Sequence, residues 1–166
     1  MRSVCQDVDM SQGETVGDVD LAVGYVLKQA ATALRTAMDA ALRPLELTVP
    51  QYSCLELLGQ RPGLSGSELA RGVFVSRQAM NQVLRGLVER GLLTRPSAAE
   101  HGRALAAELT PAGRRALHAA STAVADVQRR MLAPLSPDRR RGLRDDLAAC
   151  LGALGSPPPD DPAPAD

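Results

Sequence analysis

The chain has 166 residues, room for one domain with flanking arms, and its 19 basic and 19 acidic residues cancel to zero net charge. With no tryptophan, two tyrosines and one phenylalanine it lacks the aromatic platforms on which single-stranded bases stack, and no stretch approaches a membrane-spanning run. The cancelled charge is unevenly spread: residues 61–115 hold nine arginines against Glu68, Glu89, Glu100 and Glu108, whereas residues 1–20 carry Arg2 against five acids and the segment from Ser156 adds three aspartates. A basic centre between acidic ends can steer a polyanion whatever the total, because steering follows the local field.

Residues 1–19 are polar and aperiodic, and are expected to form a disordered acidic arm with no apolar core for a signal peptide, which points to a cytoplasmic protein. From Leu21 an apolar pattern begins, carried by Leu27, Ala30, Ala31, Leu34, Ala37, Met38, Ala41 and Leu42, and predicts a long helix that stops before Pro44. Thr48 and Gln51 form a Thr-x-x-Gln capping box opening a second helix, whose buried side holds Tyr52, Cys54, Leu55 and Leu58 and which ends within Gly59–Gly63. Ser65 and Glu68 repeat the device for a short third helix, and Ser76 caps a fourth.

That fourth helix carries opposite chemistries on its two faces. Met80, Val83, Leu84 and Leu87 recur at helical spacing as a core stripe, while Arg77, Gln78, Asn81, Gln82 and Arg85 fall on the other side. Arginine forks onto guanine, and asparagine or glutamine pairs with adenine, so this row can read base edges in a major groove. The free backbone donors beginning at Ser76, together with Arg85 and the similar start at Ser65, suit phosphates. Taken alone, the pattern is better read as an amphipathic helix with an ordinary solvated face.

The segment beyond this helix favours the reading face. After Gly91 come Leu92-Leu93-Thr94-Arg95, a turn-rich segment with Pro96 and Gly102, and then Ala104–Leu109, predicting a weak two-stranded ribbon with Arg103 near its tip. Helix, turn, helix and basic ribbon make a winged helix-turn-helix, in a fold that is mainly α with a small two-stranded β wing. Thr110-Pro111 opens another helix with Leu117, Ala120, Val124, Val127 and Met131 on one stripe. Ser136-Pro137 opens the last, with Leu143, Leu147, Cys150, Leu151 and Leu154, before a Pro/Asp tail from 155 to 166 that is expected to stay unfolded. The outer stripes exceed what a winged module needs, and Leu21, Leu117, Val124, Leu143, Leu147 and Leu151 are the expected dimerisation residues.

No catalytic constellation stands out. His101 and His118 have no cysteine at zinc-ligand spacing, Gly63-Leu64-Ser65-Gly66 is not a nucleophile elbow, and Lys28 is the only lysine, so neither an enzyme, a metal site nor a cofactor is expected. Cys54 and Cys150 lie on apolar stripes and are expected to pack as small hydrophobes; Cys5 sits in the arm.

The ordered set Leu47-Thr48 with Gln51-Tyr52 and Leu55, Pro62-Gly63-Leu64 with Ser67-Glu68-Leu69-Ala70, Val75-Ser76-Arg77, Leu87 with Arg90-Gly91-Leu92-Leu93, and Arg103 with Leu109-Thr110 and Gly113 resembles the multiple-antibiotic-resistance regulator (MarR) family of bacterial transcription factors. The likeness runs from about residue 20 to about 154, with the winged module at about 48–110 and dimerisation helices at about 20–43 and 111–154. Two departures stand out: the wing reads His101-Gly102-Arg103 where the family usually has Asp-x-Arg, and Phe74 replaces a small turn residue. The resemblance implies a homodimeric repressor on a pseudo-palindromic operator in double-stranded DNA. It assigns Arg77, Gln78, Asn81 and Gln82 to the major groove, Ser65, Ser76, Arg85 and Arg95 to support, and Arg103 to the minor groove. It further implies a small aromatic or phenolic effector, for which Tyr25, Met38 and Tyr52 are the candidate contacts. A cysteine-based redox sensor and a constitutive DNA-binding protein without a ligand remain the alternatives.

Overall fold

The computed structural model describes residues 22–94 and 107–155. The expected acidic arm, Leu21, the wing tip with Arg95 and Arg103, and the tail beyond Gly155 lie outside the described residues. The backbone divides into two compact units, Met1–Ala33 and Leu34–Asp166. Helix α1 (Val23–Leu42) runs across that division, and its residues 23–33 are all exposed.

Within the second unit each helix starts where a side chain satisfies its free backbone donors. A 3-10 turn at Arg43–Leu45 with Pro44 closes α1, and Glu46 comes next with φ 54°. Helix α2 (Val49–Gln60) opens on the expected capping box: Thr48 Oγ1 accepts from Gln51 N at 3.3 Å, and Gln51 Oε1 accepts from Thr48 N at 3.0 Å. Helix α3 (Gly66–Val73) repeats it, Glu68 N donating to Ser65 Oγ at 3.3 Å and Ser65 N to the Glu68 carboxylate at 2.7 Å. The Ser65 side chain and backbone hold the Glu68 carboxyl below the usual carboxylate range.

Helix α4 (Arg77–Glu89) buries Met80, Leu84 and Leu87, as the 3.6-residue stripe requires, and Val83 packs against the same cluster. The core they join holds Leu42, Leu47, Cys54, Leu55, Leu58, Leu69, Leu93 and Val124. Strands β1 (Leu93–Thr94) and β2 (Glu108–Leu109) pair antiparallel, Leu93 facing Leu109 and Thr94 facing Glu108. Ala107 is buried just before β2, and residues 104–106 of the expected second strand lie outside the described residues.

Two long-range ties join elements inside this unit. Arg90, the cap of α4, donates from Nη1 to the Glu46 carbonyl at 2.5 Å and from Nη2 to that of Leu45 at 3.5 Å, satisfying carbonyls left free where the 3-10 turn ends. Thr110 caps α5 (Pro111–Leu132), accepting from Gly113 N at 2.9 Å while its hydroxyl donates to Gly91 O at 2.7 Å. Gly113 belongs there because a Cβ would stand 2.0 Å from Leu92 O, so any side chain would push α5 off the base of the wing.

Helix α5 buries Gly113, Ala120, Val124 and Val127 against its own chain. Helix α6 (Pro137–Leu154) buries no residue. Cys150, expected to pack, is therefore exposed: among the described residues nothing covers the apolar stripe of α6.

Candidate nucleic-acid interface

The residues expected to read DNA fall on one exposed row. Arg77, Gln78, Asn81, Gln82 and Arg85 all lie on α4 and all face solvent. The helix beneath them is held from three sides: Ser76 Oγ accepts from Ala79 N at 3.1 Å, the Met80-Leu84-Leu87 stripe is in the core, and Arg90 anchors the far end. Each held coordinate removes a freedom that base readout would otherwise cost in entropy.

The row is also unspent. Among the described residues the ion pairs are Arg90–Glu46, Arg129–Asp126, Arg141–Asp138 and Arg144–Asp145, so neither Arg77 nor Arg85 has a carboxylate partner. Nor do the side chains of Gln78, Asn81 and Gln82 hydrogen-bond within the described residues. Two free cations and three free amides on a rigid helix form a surface ready for phosphates and base edges. Ser76 is exposed at the head of this row, while Ser65 is half-buried in its own capping box.

The other candidates divide. Met38 and Tyr52 pack against the core as half-buried residues of the second unit, and Tyr25 in the first unit is 40% exposed. Burial pushes the Tyr52 phenol up, with the charge and hydrogen bond of Glu56 adding and the hydrogen bond of Ser121 opposing. A groove of about 410 Å³ lies between α2, β2 and the start of α5, lined by Leu58, Gly59, Pro62, Leu109, Arg114 and Leu117. Of the expected dimerisation residues, Leu117 and Val124 are used inside the single chain, whereas Leu143 and Leu151 are exposed and Leu147 is half-exposed on α6. Cys54 is fully buried and its thiol is pushed up to about 12 by burial, which keeps it protonated and inert at neutral pH. Among the described residues no group of three His, Cys, Asp or Glu could hold a metal ion, and no helix is long and apolar enough to cross a membrane.

Three features escape pattern reading. Arg90 reads as a surface cation until its carbonyl partners, 44 and 45 residues away, are known. Gly113 stands out in the sequence, but its contact with Leu92 O cannot be read there. Phe74, in sequence only an odd turn residue, adopts a left-handed conformation with φ 58° and is 88% exposed.

Two helices packed on the core, the second with an exposed polar face, leading into a two-stranded ribbon, define a winged helix-turn-helix protein. The MarR family model matches residues 45–104. The HTH-type transcriptional repressor Rv2887 of Mycobacterium tuberculosis is 43% identical over 137 residues, covering 82% of this chain and 96% of the relative. The crystal structure of the M. tuberculosis MarR family protein Rv2887 in complex with DNA covers 81% of this chain and 98% of its own, with TM-score 0.63 and 40% identity. Its complex with salicylic acid has TM-score 0.65 and 41% identity, covering 77% and 95%. The chain belongs to the MarR family of transcriptional regulators.

Proposed function

We propose that this protein is a homodimeric transcriptional repressor that binds a pseudo-palindromic duplex and releases it when a small aromatic acid binds. The observation that carries the reading is the row Arg77, Gln78, Asn81, Gln82 and Arg85, rigidly held, outward and without partners among the described residues. Arg77, Gln78, Asn81 and Gln82 read bases; Ser76, Arg85 and the start of α3 at Ser65 hold phosphates; Arg95 and Arg103 of the wing reach the flanking backbone and minor groove. The module of about 48–110 does the reading, while residues of about 20–43 and 111–154 supply the dimer, in which α6 presents Leu143, Leu147 and Leu151 to a second copy. Binding of Rv2887 to DNA and to salicylic acid in its crystal structures supports both halves of the reading. Met38 and Tyr52 are proposed effector-side residues. A repressor acts where the chromosome is, so we place it in the cytoplasm, and no catalytic step is assigned to it.

The test is anisotropy of a labelled duplex from the region upstream of the protein's own gene, across a salt series and with added salicylate. Affinity should fall steeply and log-linearly with salt, as counterion release requires, and salicylate should weaken it. Absence of salt-dependent binding would leave a winged scaffold used for protein contacts; binding indifferent to a screen of aromatic acids would make the protein a constitutive DNA binder.

A further inference from the structure

The turn into the reading helix contains a residue whose placement the fold does not explain. Phe74 closes α3 with φ 58° and ψ 47°, its N–H donating to the Ala70 and Arg71 carbonyls. Glycine adopts that conformation freely, and a bulky residue adopts it under strain. The chain nevertheless places its single phenylalanine here, 88% exposed, so its ring gains almost nothing from the core to offset the strain. Strain that packing does not offset is a mark of function.

Its position suggests which function. Phe74 stands two residues before Ser76, the cap of α4, so backbone of at most about 3.6 Å per residue keeps its ring close to the end of the helix that enters the groove. Within residues 74–85 the exposed side chains are Phe74, Ser76, Arg77, Gln78, Asn81, Gln82 and Arg85, and Phe74 is the only apolar one. Guanidinium and amide groups read guanine and adenine, but the feature peculiar to thymine in the major groove is its C5-methyl group, which only an apolar surface can read. We propose that Phe74 is a specificity residue whose ring packs on a thymine methyl beside the bases read by α4. This rests on the DNA-binding reading above and adds to it a base preference and a residue that reads it.

The experiment starts from the duplex that the full-length wild-type protein enriches from a random library. Each of its thymines is replaced singly by deoxyuridine, which removes only the methyl group. Wild type should lose about fourfold at one thymine per half-site, the factor for one methyl-sized apolar contact, and about fifteenfold with both half-sites changed. Phe74→Gly should bind the thymine duplex as wild type binds the deoxyuridine duplex, be indifferent to the replacement, and melt at a higher temperature because the turn strain is gone. Phe74→Asn, a polar residue that tolerates the same turn, should lose the same contact and controls for any flexibility that glycine adds. If wild type is indifferent to every deoxyuridine, or if both variants keep its thymine sensitivity, the assignment is overturned. If wild type enriches no duplex at all, the DNA-binding reading itself falls, and that outcome is distinct from a failure at Phe74 alone.

Discussion

Helices α5 and α6 begin with the same signal, a hydroxyl cap and then proline, and meet opposite fates. In α5 the stripe of Leu117, Ala120, Val124, Val127 and Met131 buries Ala120, Val124 and Val127 in the chain that made them, and Met131 at its far end is 45% exposed. In α6 nothing is buried, and Leu143, Leu151 and Leu154 stand at 40%, 65% and 83% exposure. A cap and a proline decide where a helix begins; whether its stripe is covered depends on what lies opposite. Most helical stability in proteins comes from packing an apolar face, and α6 buries no residue among those described. Among the described residues the chain thus closes the helical core under α4 by itself, and a second copy over α6, as proposed above, would complete its last helix.

The largest effect is expected in the core beneath α4. Leu84 is almost wholly buried beneath the reading face, and Leu84→Ala should cost about 2–5 kcal/mol, enough to abolish or severely lower the cooperative melt of an ordinary domain. A loss below about 1 kcal/mol in urea titration would mean that α4 does not rest on this core.

The open side answers to a different probe. Leu147→Asp with Leu151→Asp changes exposed or half-exposed positions, so it should do little within one chain. Across a dimer interface the same carboxylates would be buried without partners, at a cost of several kcal/mol. Sedimentation should show wild-type dimers and monomers or unfolded chain for the double variant. A wild type that sediments as a monomer at micromolar concentration would remove the partner from the account.

Titration probes the closed core at the Cys54 thiol. Burial raises the Cys54 thiol from 9.0 to about 12, so the folded state keeps a proton that the unfolded chain has already lost. The stability tied to Cys54 is therefore full below pH 9 and falls as pH rises toward 12, with Tyr52 acting in the same sense. Cys54→Ala should flatten the alkaline end of a stability–pH profile. An alkaline limb that persists in Cys54→Ala would assign the loss to other groups.

Smaller still is the cap of the reading helix. Ser76→Ala removes the acceptor for Ala79 N and should cost about 1 kcal/mol in a thermal melt. No change would show that another group satisfies that donor.

How much of the fold is legible in the sequence depends on the range of the interaction. The Thr48–Gln51 and Ser65–Glu68 boxes, the Ser76 cap and the Met80-Leu84-Leu87 stripe need only neighbours within a turn or two, and each appears as read. An apolar stripe announces that a face will be covered without saying by what, which is why Val124 and Leu151 look alike in sequence and differ in the fold. Arg90 and Gly113 depend on single atoms of Leu45, Glu46 and Leu92, and no local pattern encodes those meetings. Phe74 shows the limit from the other side: the sequence predicts a turn there, but not a strained and exposed aromatic within it.

We propose that the outward row of α4 reads sequence and does not merely attract phosphate. Asn81→Ala and Gln78→Ala, measured on the selected duplex and on a scrambled one of equal length and composition, test it most directly. Each substitution should cost roughly 1–3 kcal/mol on the selected duplex and little on the scrambled one, with the salt slope unchanged. Equal losses on both duplexes would contradict the account and make α4 an anchoring helix.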